Sequence, residues 1–373
     1  MIEKTCAKWI TIFVVGTAFC VLNAVGRAHS VGEVSSQSTG DSTKTAEQVY
    51  KNIQVLTGLP ASQLDGVMYF MTASLGVECA YCHTNPWDSD EKTAKLTTRR
   101  MIQMMRTINK ENFSGNNVVN CYTCHRGQTQ TATSPPANPF LLRPDDSTTA
   151  ASPDTALPTS DEIINRYVLA IGGQAAIDKI KTRLSRGTET TTDRAAAVTV
   201  QIEVYQTAEN KLLITRKNAR AETVMAFNGS TGWIKVSGVQ REMNAKELSA
   251  AQRDAVSFHY LKIKTSYPQT RTLGRERLGD REAYVVGATS TDGSREKLFF
   301  DSRTGLLVRK YVPFNTAFGT IPEVTDFDDY REVGRVKLPF TVIWSRAPFA
   351  STRKFAEVKI NVEMKDVKFE MPK

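Results

Sequence analysis

The 373-residue chain is 40% hydrophobic and 23% charged, ordinary proportions for soluble globular protein that exclude a bundle of many membrane spans. Its length exceeds what one compact core usually organises, so at least two domains and a linker are expected. The formal charge of +9 is spread unevenly, with nine basic and nine acidic side chains over residues 31–130 and 35 against 26 over residues 159–373. The basic residues are scattered rather than clustered with aromatics, which argues against a nucleic-acid partner.

In chain order, the first segment reads as an export signal. Lys4 and Lys8 precede an apolar run from Trp9 to Val25 and then the small-residue stretch Ala28-His29-Ser30. Residues 1–30 are therefore expected to direct the chain to the periplasm, with an uncleaved N-terminal anchor as the alternative reading. Residues 31–44 are rich in Ser, Thr and Gly and read as a flexible tether. Apolar positions then recur at helical spacing in Val49, Ile53 and Leu56, in Leu64, Met68, Met71 and Leu75, and in Leu96, Met101, Met104 and Ile108. Three helices follow from this spacing, the second started by Pro60 and ended by Gly76, in a small all-α domain over residues 45–130.

Residues 131–158 are rich in Pro, Thr and Ser and read as a semi-extended linker. Beyond it, Thr159 and Glu162 form a capping box ahead of Ile163, Tyr167 and Ile171, and Gly172-Gly173 stops that helix. The period then changes to two. Val198, Val200, Ile202 and Val204 alternate with polar residues, and further strands are expected at 210–216, 222–228, 232–237, 283–289, 296–301, 306–312, 325–332, 339–346 and 355–363. Residues 159–373 thus read as a mostly antiparallel curved sheet or half-barrel, interrupted by one helix near residues 245–259.

The chemistry concentrates in the cysteines and histidines. Four of the six cysteines lie in Cys79-Ala80-Tyr81-Cys82-His83 and Cys121-Tyr122-Thr123-Cys124-His125, and the other two, Cys6 and Cys20, lie in the export segment. Residues three and four apart share a helical face, so two thiols can reach the vinyl groups of a haem while the following imidazole reaches its iron. Two covalently bound c-type haems are therefore expected, on Cys79 and Cys82 and on Cys121 and Cys124, with His83 and His125 as axial ligands. A zinc site or two small disulfides are the alternatives, and neither gives the adjacent histidines a role. Of the remaining histidines, His29 belongs to the export segment and His259, between Phe258 and Tyr260, reads as a packed core residue.

A sixth iron ligand is then most readily a methionine thioether, which favours a higher reduction potential. Five of the ten methionines lie between Met68 and Met105, and Met68-x-x-Met71 ahead of the first motif is repeated as Met101-x-x-Met104 ahead of the second. This is a duplicated unit of helix, loop and attachment motif. From Val49-Tyr50-Lys51-Asn52 through Leu75-Gly76-Val77-Glu78-Cys79 and Arg99-Arg100-Met101-Ile102-Gln103-Met104 to Cys124-His125-Arg126-Gly127, the chain resembles the cytochrome subunit of photosynthetic reaction centres.

That resemblance implies Met68 as ligand to the first haem and Met101 to the second, with Met71 and Met104 as fallbacks. It also implies electron transfer without bond chemistry, to a redox partner that is a soluble cytochrome or a membrane complex. Purple bacterial members carry four haems, whereas this chain has one pair of motifs.

Phe300-Asp301-Ser302-Arg303-Thr304-Gly305-Leu306-Leu307-Val308, with Gly334-Arg335-Val336-Lys337-Leu338-Pro339, is similar to the curved sheet of LolA-like lipoprotein carriers. This resemblance implies an apolar concavity for a lipid or acyl chain, and a lipid or quinone is the ligand expected in this half. The expected fold is thus α+β and multidomain, a small all-α dihaem c-type cytochrome domain followed by the β-rich half. The expected function is an exported electron carrier, not an enzyme. A peroxidase-like haem enzyme with one open iron, and a lipid- or quinone-binding module with a redox-coupled haem domain, stand as alternatives.

Overall fold

The computed structural model describes residues 44–131 and 157–372, apart from 194–195, 220, 237, 256–260, 262, 291–292 and 366. The expected export segment, nearly all of the expected tether, most of the expected linker, and His259 with its aromatic neighbours lie outside the described residues. Among the described residues no helix is long and apolar enough to cross a membrane.

The first part is helical: α1 (Ala46–Val49), a 3-10 turn (Ala61–Gln63), α2 (Leu64–Leu75), α3 (Cys79–Cys82), α4 (Thr93–Asn112) and α5 (Cys121–His125). The spacing of Val49, Ile53 and Leu56 predicts a helix, but the structure forms only the single turn α1 there. Tyr50 is extended, and Asn52 and Gly58 take positive φ of 58° and 76°, backbone that no continuing α-helix accepts. Helix α2 ends where expected, on Gly76 in the left-handed region. Helix α4 is amphipathic, burying Ile102, Met105 and Asn109.

After α6 (Ser160–Ala170) and α7 (Gln174–Ile177) come thirteen strands: β1 (Thr182–Asp193), β2 (Ala196–Thr207), β3 (Leu212–Lys217), β4 (Glu222–Phe227), β5 (Gly232–Val236), β6 (Val239–Glu242), β7 (Gln269–Leu278), β8 (Arg281–Thr289), β9 (Arg295–Asp301), β10 (Leu307–Thr316), β11 (Gly319–Val333), β12 (Val336–Arg346) and β13 (Phe349–Ile360). Between β6 and β7 lie α8 (Ala245–Ala255) and α9 (Ile263–Ser266). The strands form one sheet in the order β6-β5-β4-β3-β2-β1-β13-β12-β11-β10-β9-β8-β7, antiparallel throughout, with β6 and β7 as its two edges. The architecture is α+β with a large open antiparallel sheet.

Alternation sorts side chains to the two faces. Val286 and Ala288 of β8 and Leu298 and Phe300 of β9 pack with Ile163, Tyr167 and Ile171 from the α6 region, while Ala283, Val285 and Phe299 form a separate cluster with Val308. Helix α8 covers Ile202, Val204, Leu212 and Ile214 through Ala251 and Ala255.

Three strands escape a search for alternating apolar residues. Strand β6 is fully exposed, β7 is charged along much of its length, and β1 fills two buried positions with Ser185 and Glu189 rather than with apolar residues. Yet β1 sits mid-sheet, between β2 and β13. Its Glu189 lies between Arg216 (Oε2 to Nε, 2.5 Å) and Arg353 (Oε1 to Nε, 2.8 Å), and Arg353 reaches Asp254 of α8 at 3.2 Å.

The helical segment does not stand apart from the sheet. Val67, Phe70 and Met71 of α2 and Ile102 and Met105 of α4 form one buried cluster with Phe314, Phe318 and Ile321 of the β10–β11 hairpin. Burying a side chain of this size contributes about 1.5–3 kcal/mol, so this shared core binds the two parts together.

Candidate functional site

Each Cys-x-x-Cys-His motif folds as a single helical turn followed by its histidine, and each turn is held by a different helix. Helix α3 is packed on α4, and α5 is packed on α2. At the first motif, Cys82 Sγ lies 3.9 Å from Thr98 Oγ1 of α4, and the Lys92 ammonium donates to the Ala80 carbonyl. His83 Nδ1 is 3.1 Å from the Trp87 carbonyl oxygen, and the two rings lie 5.1 Å apart. A carbonyl only accepts, so Nδ1 must carry the proton and the lone pair falls on Nε2.

The loop between His83 and α4 is fixed by one carboxylate. Asp90 accepts from Arg99 Nη1 at 2.8 Å and from Asn52 Nδ2 at 2.8 Å, and pairs with Lys95 Nζ at 3.3 Å. The Arg99 hydrogen bond, outweighing burial, with Lys95 and Asn52 adding to it, holds the Asp90 carboxyl down at about 2. Lys95 also donates to the Trp87 and Ser89 carbonyls at 3.1 and 2.8 Å, so the carbonyl that orients His83 is itself anchored to α4. Burial, helped by the cations of Lys95, Arg99 and Lys92, pushes His83 below its ordinary value and keeps the imidazole neutral, the form a metal requires.

The second motif is capped more tightly. Asn120 Oδ1 accepts from the Thr123 amide at 3.2 Å, while Thr123 Oγ1 accepts from the Asn120 amide at 3.0 Å. One of the two spacer residues of the motif thus closes its own cap. Buried Asn109 of α4 pins the approach, donating to the Val119 carbonyl at 2.7 Å and accepting from its amide at 2.9 Å. Arg126 and Gly127 take positive φ, and the Gly127 amide donates to Ser74 O of α2 at 2.8 Å. His125 Nδ1 lies 3.0 Å from the Gln128 carbonyl oxygen. Both imidazoles therefore share one tautomer, each fixed by a backbone carbonyl three or four residues downstream.

No disulfide joins the four motif cysteines. Burial pushes Cys82 and Cys121 above the ordinary thiol value, while Cys124 is exposed. Among the described residues no three His, Cys, Asp or Glu side chains gather as a metal cluster, so the two motifs do not converge into one zinc site. Met71 is buried in the shared core and Met68 is half-buried against it. Met101 and Met104 stand 40% and 48% exposed on one face of α4. Tyr81, Trp87, Leu96, Val118 and Tyr122 are exposed as well, a density of large apolar side chains that a flat apolar macrocycle at each motif would cover. The donor set and its surroundings fit haem.

Some of these partners were missed by sequence reasoning. The Asn120-x-x-Thr123 spacing is a detectable capping signal, whereas nothing local marks the Trp87 and Gln128 carbonyls or Asn109.

Comparison with known proteins agrees with the motifs. The family model described as photosynthetic reaction centre cytochrome C subunit matches residues 21–151. The photosynthetic reaction center cytochrome c subunit of Roseobacter denitrificans is 41% identical over 95 residues, which are 22% of this chain and 25% of that one. Cytochrome c-554 of Chloroflexus aurantiacus is 39% identical over 82 residues, 20% of each chain. The chain thus spans about a quarter or less of the length of these curated relatives. Among solved structures, a LolA superfamily protein from Nitrosomonas europaea is similar at a TM-score of 0.40 and 12% identity, over 56% of this chain and 96% of that one. The segment that carries both Cys-x-x-Cys-His motifs is thus similar to the photosynthetic reaction centre cytochrome c subunits and to cytochrome c-554.

Proposed function

We propose that residues 44–131 hold two covalently attached c-type haems and that the protein is an exported electron carrier, passing electrons between redox partners in the periplasm or at a membrane. The observation that carries this reading is the repeated Cys-x-x-Cys helical turn, closed each time by an imidazole whose Nδ1 is held by a backbone carbonyl downstream. Bound iron would supply a one-electron couple. The chain would supply thioether anchors at Cys79, Cys82, Cys121 and Cys124, and the carbonyls that hold Nδ1 of His83 and of His125 would leave each Nε2 available to the metal. Met68 and Met101 serve as the sulfur ligands of the first and second haem.

One observation favours a second assignment of the sulfurs. The helix bearing Met68 is packed on the second motif, and the helix bearing Met101 on the first, so a crossed pairing is the rival. Met68→Ala and Met101→Ala decide between them when each potential is assigned with the single-haem variants C79A/C82A and C121A/C124A. Loss of the sulfur ligand lowers the potential of the haem it served. Met68→Ala lowering only the first haem supports the direct pairing, lowering only the second supports the crossed one, and no change at either rejects Met68 altogether. Reduced protein whose spectrum shifts with carbon monoxide at both haems would overturn closed, six-coordinate electron transfer and favour an enzyme.

A further inference from the structure

We propose that the β10–β11 hairpin is a wall of the second attachment motif, with Gly319 and Asn117 as positioning residues that hold the potential of the haem bound there above the value it would have in water. The inference rests on the proposed dihaem reading and adds to it a role for the β-rich half.

The hairpin is built to press outward. Thr316 Oγ1 accepts from the Phe318 and Gly319 amides, each at 3.2 Å, and donates to Gly319 O at 2.7 Å, so the turn closes on itself. Gly319 has φ +151°, and a Cβ there would stand 2.6 Å from Phe70 Cε2 and 3.3 Å from Asn120 Nδ2. The bare backbone of the turn therefore lies directly on α2 and on the residue that caps the second motif. Asn117 fastens the same place from the other side, donating to the Ala317 carbonyl at 3.1 Å. Phe318 is buried in the cluster against which Met68 and Cys121 also pack. The hairpin thus touches the cap one residue before Cys121, whereas the first motif is held by α4 and the loop after His83.

A haem on Cys121 and Cys124 would meet a dry wall on this side. Removing water from one side of a metal group destabilises the more highly charged oxidised state and raises the potential. Without the hairpin in place, the second haem should become easier to oxidise and the first should not change.

The test uses the full chain with both haems attached in a host that matures c-type cytochromes. Intact mass first counts the haems; a wild-type chain lacking the second would overturn the proposed function, and this inference with it, before any potential is read. Gly319→Val is then expected to keep two haems and to lower only the component missing from C121A/C124A, by the equivalent of a tenfold change in the reduced-to-oxidised ratio, about 59 mV for one electron. Both potentials unchanged, or both lowered equally, would overturn the proposal. Should Gly319→Val not fold, Asn117→Ala removes only one hydrogen bond and decides in its place: a smaller fall at the second haem alone supports the proposal, and an unchanged value overturns it.

Discussion

At the scale of single residues, the site depends on short-range polar partners that give each motif one geometry. Asn109 is the most exacting of them, since its buried amide satisfies both the N–H and the C=O of Val119, two residues before Cys121. Asn109→Leu leaves both backbone groups without that partner in a partly buried place. A loss of about 2–3 kcal/mol is expected from their desolvation. Urea unfolding of the haem-loaded protein measures it; a variant as stable as the parent would mean that Asn109 does not hold this loop. The histidines show why such partners matter. A Cys-x-x-Cys-His turn would bring the imidazole to the iron of the proposed haem, but only the carbonyls of Trp87 and Gln128 choose which nitrogen is left to bind it.

Among the elements, β1 is the unusual one. A strand paired on both sides normally presents apolar residues inward, but β1 offers Glu189, which is 1% exposed and held by two guanidiniums. Burial by itself would raise this carboxyl, and the Coulomb attraction of Arg216 and Arg353 overcomes it and brings the group down to about 2. The folded value lies below the ordinary 4.5, so the contribution to stability is complete above about pH 4.5 and is lost as pH falls towards 2. The amount is about 3 kcal/mol. Unfolding midpoints measured at pH 5, 3.5 and 2.5 should fall more steeply for the parent than for Glu189→Gln, which cannot titrate; parallel curves would remove Glu189 from the acid response. At neutral pH the same variant takes the shared anion from two half-buried guanidiniums, of which Arg353 keeps Asp254, and a loss of about 1.5–3 kcal/mol is expected.

For the molecule as a whole, the question is whether the helical segment and the sheet behave as one body. Phe314, Phe318 and Ile321 enter the same core as Val67, Phe70 and Met71, so neither part keeps a covered apolar surface when the other unfolds. Haem absorbance and the fluorescence of Trp233 and Trp344 should therefore change together in urea as one transition. Phe318→Ala, which empties a buried site in the shared core, should cost about 3–5 kcal/mol and draw the two signals apart. Two separate transitions in the parent protein would show that the shared core does not couple the halves.

The Cys-x-x-Cys turns, the Met-bearing helices, the capping box at Thr159 and most strands were legible in the chain because each rests on short-range chemistry. Thiols three residues apart share a turn, and residues two apart share a face of a strand, whatever surrounds them. The helix expected over Val49–Leu56 failed because Asn52 and Gly58 impose backbone angles that apolar spacing does not register. Strand β1 was invisible because its partners are charges 27 and 164 residues away, and charge carries no period. The choice of imidazole tautomer, the packing of each motif on its helix and the seat of the hairpin on Phe70 and Asn120 were decided only by the tertiary structure. They join residues up to about 250 positions apart, and it is the burial of a common core, not any local preference, that brings them into contact.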